Sequence, residues 1–244
     1  MSGRPGTVFL RGTDTELGEP VAAALLARGA TVALFDPEES ARTADLSGKL
    51  SALGLPGRVL DVSTLTNGSD DAYAPYAALQ AMDVALDAVV HLTLPNAATD
   101  EATLLGLAGR LRTMVRAAAE HMEKAGRQGV VINQFLMPTL LTDHPLASAM
   151  VEARNGITAI TRFACVRYGK LGIRCLGLMV GLLDLPSLRG LASDHVNAAK
   201  TPLGRWITAE EVAGTLVFLS LDSGYITGQT LVLDGGMTGG INGV

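Results

Sequence analysis

Apolar residues along this chain come in short, nearly unbroken runs, separated by longer stretches in which they recur every three or four positions. The runs at 7–10, 31–35, 58–60, 88–91, 130–133, 174–179 and 230–233 each suit one strand. Strands apolar on both sides are those covered on both faces, as parallel strands are. Helical spacing predicts a helix through 21–28 that stops at Gly29, and longer helices over 101–126, 146–170 and 208–221. Thr208 and Glu211 have the spacing of a capping box, which marks where the last helix begins. Strands alternating with helices of this length are joined side by side through crossovers. The expected fold is therefore α/β: one domain over 1–244, a Rossmann-type doubly wound parallel sheet with helices on both faces. No linker or internal repeat interrupts the alternation.

Composition supports this and narrows the function. Of 244 residues, 48% are hydrophobic and 18% charged, which suits a large core and argues against disorder. A net charge of −5, with basic residues scattered singly, gives no electrostatic reason to expect nucleic acid or an anionic membrane as partner. No apolar run is long enough to span a membrane and no signal peptide precedes the first strand, so a cytoplasmic setting is expected. Cys165 and Cys175 lack metal-ligand spacing; buried free thiols are expected, and no metal site.

The candidate chemistry lies in residues 150–181, MVEARNGITAITRFACVRYGKLGIRCLGLMVG, and in TPLGR (201–205), AEEVAGTLVFLS (209–220) and YITGQTLVLDGG (225–236). These segments resemble the short-chain dehydrogenase/reductase family, in which a Tyr-x-x-x-Lys helix precedes a G-I-R-V-N-x-x-x-P-G strand and loop. Ile157, Thr161, Arg162, Gly172, Ile173, Arg174 and Gly181 fall in that frame. Met150 and Arg154 stand where Tyr and Lys would be.

The resemblance implies a proton relay built from a phenol with lowered pKa, its Lys, a Ser that holds the substrate oxygen and an Asn that orders water. Here the Ser position falls at or beside Met137, and the Asn position near Leu107. The Thr that would meet the nicotinamide amide aligns with Leu185. Methionine has no exchangeable proton, and arginine stays cationic. No catalytic residue is expected, and the replacements together predict an apolar cleft. Tyr168 lies too far along the same helix to substitute, roughly 27 Å from Met150. His91 is expected to be structural, and His144 and His195 to be solvated loop residues.

Residues 11–18, RGTDTELG, meet the family's T-G-x-x-x-G-x-G loop with Gly12 and Gly18 matched and Glu16 in place of the middle glycine. Asp14 and Glu16, taken as about 5 Å apart, would repel each other by ~3 kcal/mol at an effective dielectric of ~20, and would repel a pyrophosphate similarly. They are expected to serve the helix dipole instead. Asp36 closes the second strand, where an acid reads a ribose 2′-OH, and Asp61-Val62 resembles an adenine-contacting pair. All three also fit ordinary strand-end turns. Weak or absent NAD binding is expected for this chain, with NAD(P) held by an active partner.

The implied function is that of a non-catalytic subunit paired with a homologous active dehydrogenase in a heterotetramer. Two alternatives remain open: an active oxidoreductase with an unorthodox proton donor, and a non-redox binding protein on the same fold. Leu104, Leu107, Leu111, Met114, Val115 and Ala118 form a wide apolar stripe for core and partner alike. Residues 182–206 would form a lid.

Overall fold

The computed structural model describes residues 6–36, 40–66, 71–95, 99–138, 144–189 and 201–239. Strands β1 (Thr7–Arg11), β2 (Thr31–Phe35), β3 (Arg58–Asp61), β4 (Ala88–His91), β5 (Gly129–Leu136), β6 (Ile173–Val180) and β7 (Thr230–Leu233) form one sheet. Its order is β3-β2-β1-β4-β5-β6-β7, every pair parallel. The winding reverses between β1 and β4, which opens a crevice at the carboxyl ends of those strands.

Alternation along each strand assigns the two faces. On one, Val8, Leu10 and Val32 pack with Val21 and Leu25 of α1 (Gly18–Ala27) and Val212 and Leu216 of α7 (Ala209–Val217). On the other, Phe9, Val89 and Val131 meet Tyr76 and Leu79 of α3 (Ala74–Ala81) and Val115 and Ala118 of α4 (Glu101–Lys124). Ala164 of α5 (Ala147–Tyr168) joins that second layer. The doubly wound α/β sheet expected from the pattern is the observed fold.

Several boundaries differ from expectation. Helix α1 starts at Gly18 rather than at 21. Strand β5 runs four residues fewer in the pattern, which stops at Asn133, than in the fold, where it continues to Leu136. The amides interrupt the apolar run but not the strand, because both are buried and each amide oxygen is bonded. Helices α2 (Ser40–Ala52) and α3 went unpredicted. Leu46 and Leu50 are the buried hydrophobic residues of α2, beside the buried Thr43, too few apolar positions to show a helical period. Helix α7 ends at Val217 and loosens into a π-type turn over Phe218–Asp222.

Thr208 forms the anticipated capping box. Its hydroxyl accepts from Glu211 N at 3.3 Å, and the Glu211 carboxylate accepts from Thr208 N at 3.0 Å. Arg205 also donates to Glu211 at 2.6 Å, and this pairing leads the causes that hold Glu211 down to about 2. Of the two thiols only Cys175 is buried; Cys165 is half-buried, which corrects the expectation of two buried cysteines. Among the described residues no helix is long and apolar enough to cross a membrane.

Candidate functional site

At the switch point the crevice widens into a cavity of about 500 Å³. One end is walled by Arg11, Gly12, Asp14, Glu16, Asp36 and Arg42. The other is walled by Leu104, Leu107, Phe135, Met150, Arg154 and Ile157. Loop ends of β1 and β2, with Arg42 from α2, supply the first half, and α4, β5 and α5 the second.

The turn after β1 owes its glycines to close packing. Gly12 has φ 81°, and a Cβ there would sit 2.4 Å from the Leu92 carbonyl oxygen. A Cβ on Gly18 would meet the Thr13 carbonyl oxygen at 2.3 Å. Gly12 lines the cavity, whereas Gly18 is buried behind it. Of the two acids expected to serve the dipole of α1, Glu16 is bonded to another element. Glu16 accepts from the hydroxyl and backbone N–H of Ser187, in the short helix α6 (Pro186–Arg189). Leu17 at the N-cap of α1 contributes no side-chain bond.

Asp36 is buried at the end of β2, its N–H donating to Ser63 Oγ at 2.7 Å. Beside it the Arg11 guanidinium lies 5.3 Å from the centre of the Phe35 ring. Asp61 and Val62 do not line the cavity: Asp61 accepts from Thr64 N at 3.3 Å in a strand-end turn, and Val62 is packed inside.

Of the four reaction-centre positions, Leu107, Met150 and Arg154 face one cavity, as the alignment implies. Met137 does not; it is buried with Leu111, Phe135, Ile157 and Met179, and Phe135 and Leu136 take the wall instead. Leu185 is buried away from the cavity as well. Among the described residues no tyrosine or lysine lines it. Tyr168 packs at the far end of α5, and His144 accepts from Leu146 N at 3.2 Å outside the cleft. His195, Thr139 and much of the 182–206 segment fall outside the described residues.

The expectation of an apolar cleft needs correction too. Four arginines (Arg11, Arg42, Arg110, Arg154) and three carboxylates (Asp14, Glu16, Asp36) line it together with His91. They come from chain segments far apart, so motif comparison at the reaction centre sees only the apolar side.

His91 is the residue that sequence reasoning undervalued. It is 1% exposed and lies level with Arg11 and Asn133 on neighbouring strands. Its Nδ1 is 3.0 Å from Asn133 Oδ1. The Asn133 amide nitrogen points the other way, 3.4 Å from Thr161 Oγ1 and 3.8 Å from Cys175 Sγ. The amide oxygen therefore accepts from Nδ1–H, and Nε2 is left as a bare lone pair. That atom is buried with no partner among the described residues. Burial is the largest cause pulling the imidazole down to about 4, with the Arg11 charge adding and the Asn133 bond opposing. An Asn-Gln pair inside an apolar strand was the available signal, since buried amides need partners.

These features can be set beside known proteins. A family model described as "Enoyl-(Acyl carrier protein) reductase" matches residues 13–238. The chain belongs to the short-chain dehydrogenase/reductase family. It is 26% identical to an L-rhamnose 1-dehydrogenase (NAD(P)(+)) of Sphingomonas sp. (strain SKA58), over 95% of each chain. It is 29% identical to a cis-4-hydroxycyclohexanecarboxylate dehydrogenase of Sinomonas cyclohexanicum, over 93% of this chain and 94% of that enzyme. Its fold is shared with a 3-oxoacyl-[acyl-carrier protein] reductase of Brucella melitensis ATCC 23457, with a TM-score of 0.79, 23% identity and coverage of 96% of this chain and 93% of that one. Members of this family are oxidoreductases, and another Brucella melitensis reductase of the same fold holds NAD.

Proposed function

We propose that this chain is the non-catalytic subunit of a heteromeric NAD(P)-dependent dehydrogenase, retained for its scaffold and paired with a homologous active subunit. One observation carries this reading. Met150 and Arg154, a helical turn apart on α5, line the cleft at the positions of the family's Tyr and Lys, and no phenol or ammonium replaces them among the described lining residues. Neither side chain can deliver a proton to a carbonyl oxygen at neutral pH.

The phosphate turn supports the same reading. An intact turn leaves the start of α1 open to a pyrophosphate. Here Glu16 brings a carboxylate to that turn, and Pro20 removes one backbone N–H from the first turn of the helix. These residues do not fit a dinucleotide's pyrophosphate, although Asp36 suits a ribose. NAD(P) chemistry is thus assigned to the partner. Helix α5 offers a surface for such pairing, with Phe163 66% and Val166 81% exposed.

A second reading is favoured by His91: a working oxidoreductase that uses the Nε2 lone pair as proton acceptor. A group held near 4 is a weak base at neutral pH, which makes this the lesser reading. Expression alone and together with a homologue carrying intact Ser, Tyr and Lys separates the two. The non-catalytic reading expects the isolated chain to be inert with NAD or NADP and the pair to co-purify with activity. Turnover by the isolated chain, abolished in His91→Phe, would overturn it in favour of the second.

A further inference from the structure

The polar groups of the cleft are unevenly satisfied: the Arg154 guanidinium on its apolar side and Nε2 of His91 beside Arg11 have no partner among the described residues. Arg154 is half-buried beside Met150, Leu107 and Ile157, and its guanidinium has no hydrogen bond or ion pair among the described residues. Its α5 neighbours offer no carboxylate within the cavity. The three acids of the cleft belong to the loops after β1 and β2, and one of them, Glu16, is tied to Ser187. Arg110 shares the wall but gives Nη2 to the Thr103 carbonyl at 2.7 Å.

The lining also runs against the charge of the whole molecule. Four arginines against three carboxylates leave the cavity one positive charge in excess, in a chain of net charge −5. A low-dielectric cleft focuses such a field on an anion. A planar carboxylate fits the two-pronged donor edge of a guanidinium that has no counter-ion. The second unsatisfied group is Nε2 of His91, a buried atom of a lining residue, able only to accept. Volume is sufficient, since ligand cavities span roughly 300–1,000 Å³.

We propose that the vacated reaction centre is a binding site for a small carboxylic acid with an apolar body and a hydroxyl group. Arg154 holds the carboxylate, Leu107, Met150 and Ile157 cover the hydrocarbon, and His91 Nε2 accepts from the hydroxyl. The inference rests on the non-catalytic reading only in treating this end of the cleft as free of nicotinamide. No bond is made or broken.

Calorimetry on the whole isolated chain tests it with three probes: octanoate, octanamide and 3-hydroxyoctanoate. Octanoate is expected to bind, and octanamide to bind at least ~10-fold more weakly, because a charge-assisted pair contributes ~1.5–3 kcal/mol. Arg154→Gln, which breaks no bond in the folded chain, is expected to erase that preference. 3-Hydroxyoctanoate is expected to bind more tightly than octanoate, with the gain lost in His91→Phe. Circular dichroism of both variants confirms that they fold. Absence of octanoate binding, equal binding of octanoate and octanamide, or an unchanged preference in Arg154→Gln overturns the site. Equal binding of the two acids overturns the role of His91. None of these outcomes bears on turnover, so failure here and failure of the non-catalytic reading are told apart by an assay with NAD or NADP.

Discussion

The cleft and the C-terminal segment from Thr201 to Thr238 belong to the same family frame but treat their charged groups differently. In the segment, Asp234 accepts from Gly236 N, Thr238 N and Thr238 Oγ1 at 2.9, 2.7 and 2.6 Å, and Glu211 is held by Arg205 and the Thr208 cap. In the cleft, His91 Nε2 has no partner among the described residues, and the Arg154 guanidinium has none either. A buried polar atom left alone destabilises by ~1–3 kcal/mol, which applies to His91 Nε2 but not to the half-buried Arg154. The comparison teaches that carboxylates are paired in the segment, where the Ser220 hydroxyl is the buried atom without a partner among the described residues, whereas a guanidinium stands unpaired in the cleft.

The sharpest way to break that contrast is at matched glycines. Gly12→Ala combines a positive φ with a Cβ pressed on the Leu92 carbonyl, and a loss of at least ~3 kcal/mol is expected in urea unfolding. Gly235→Ala in the segment, with φ 63° and 3.4 Å of clearance to Thr201 Cβ, should lose only ~1 kcal/mol. Equal losses would show that the β1 turn relaxes more readily than its packing implies.

Acid unfolding gives the next largest effect. The His91 value is depressed in the fold from 6.5 to about 4, so the unfolded chain binds the extra proton first. Stability is therefore full above pH 6.5 and falls as pH drops towards 4. The loss is at most ~3 kcal/mol at 1.36 kcal/mol per pH unit. Burial lowers His121 too, so the contribution of His91 is the part removed in His91→Phe. In the C-terminal segment the window lies lower. Glu211 is depressed from 4.5 to about 2, and its contribution is lost only as pH falls between those values. Denaturation midpoints measured from pH 7 downwards should show the cleft weakening first.

Asn133→Leu should cost about 2 kcal/mol, because it strips Nδ1 of His91 as well as filling the strand with an apolar side chain. Glu211→Ala should cost about 1 kcal/mol through the lost cap. Thermal or urea melts of the two variants rank them directly.

Much of this architecture was legible from the pattern alone. Strands that are buried on both faces read as apolar runs, and the Thr208–Glu211 spacing announced its helix. Met150, Arg154 and Leu107 were legible as cleft residues because the helices keep the family's register. Helices α2 and α3 were not, since few buried side chains on each give no clear period. The cation-rich wall was hidden for a topological reason: Arg11, Arg42, Arg110 and Arg154 stand on four separate elements that meet only when the sheet is wound. The Glu16–Ser187 contact spans 171 positions, beyond any local spacing rule. His91 looked ordinary because its consequence depends on which way the Asn133 amide is turned.

The most direct test of the central claim is turnover by the purified chain alone, with NAD or NADP and a panel of secondary alcohols and ketones, followed through nicotinamide absorbance. The expected result is no turnover by the isolated chain, with activity appearing only alongside a homologous subunit that supplies Tyr and Lys. Sustained nicotinamide reduction or oxidation by this chain without any partner would contradict the non-catalytic account.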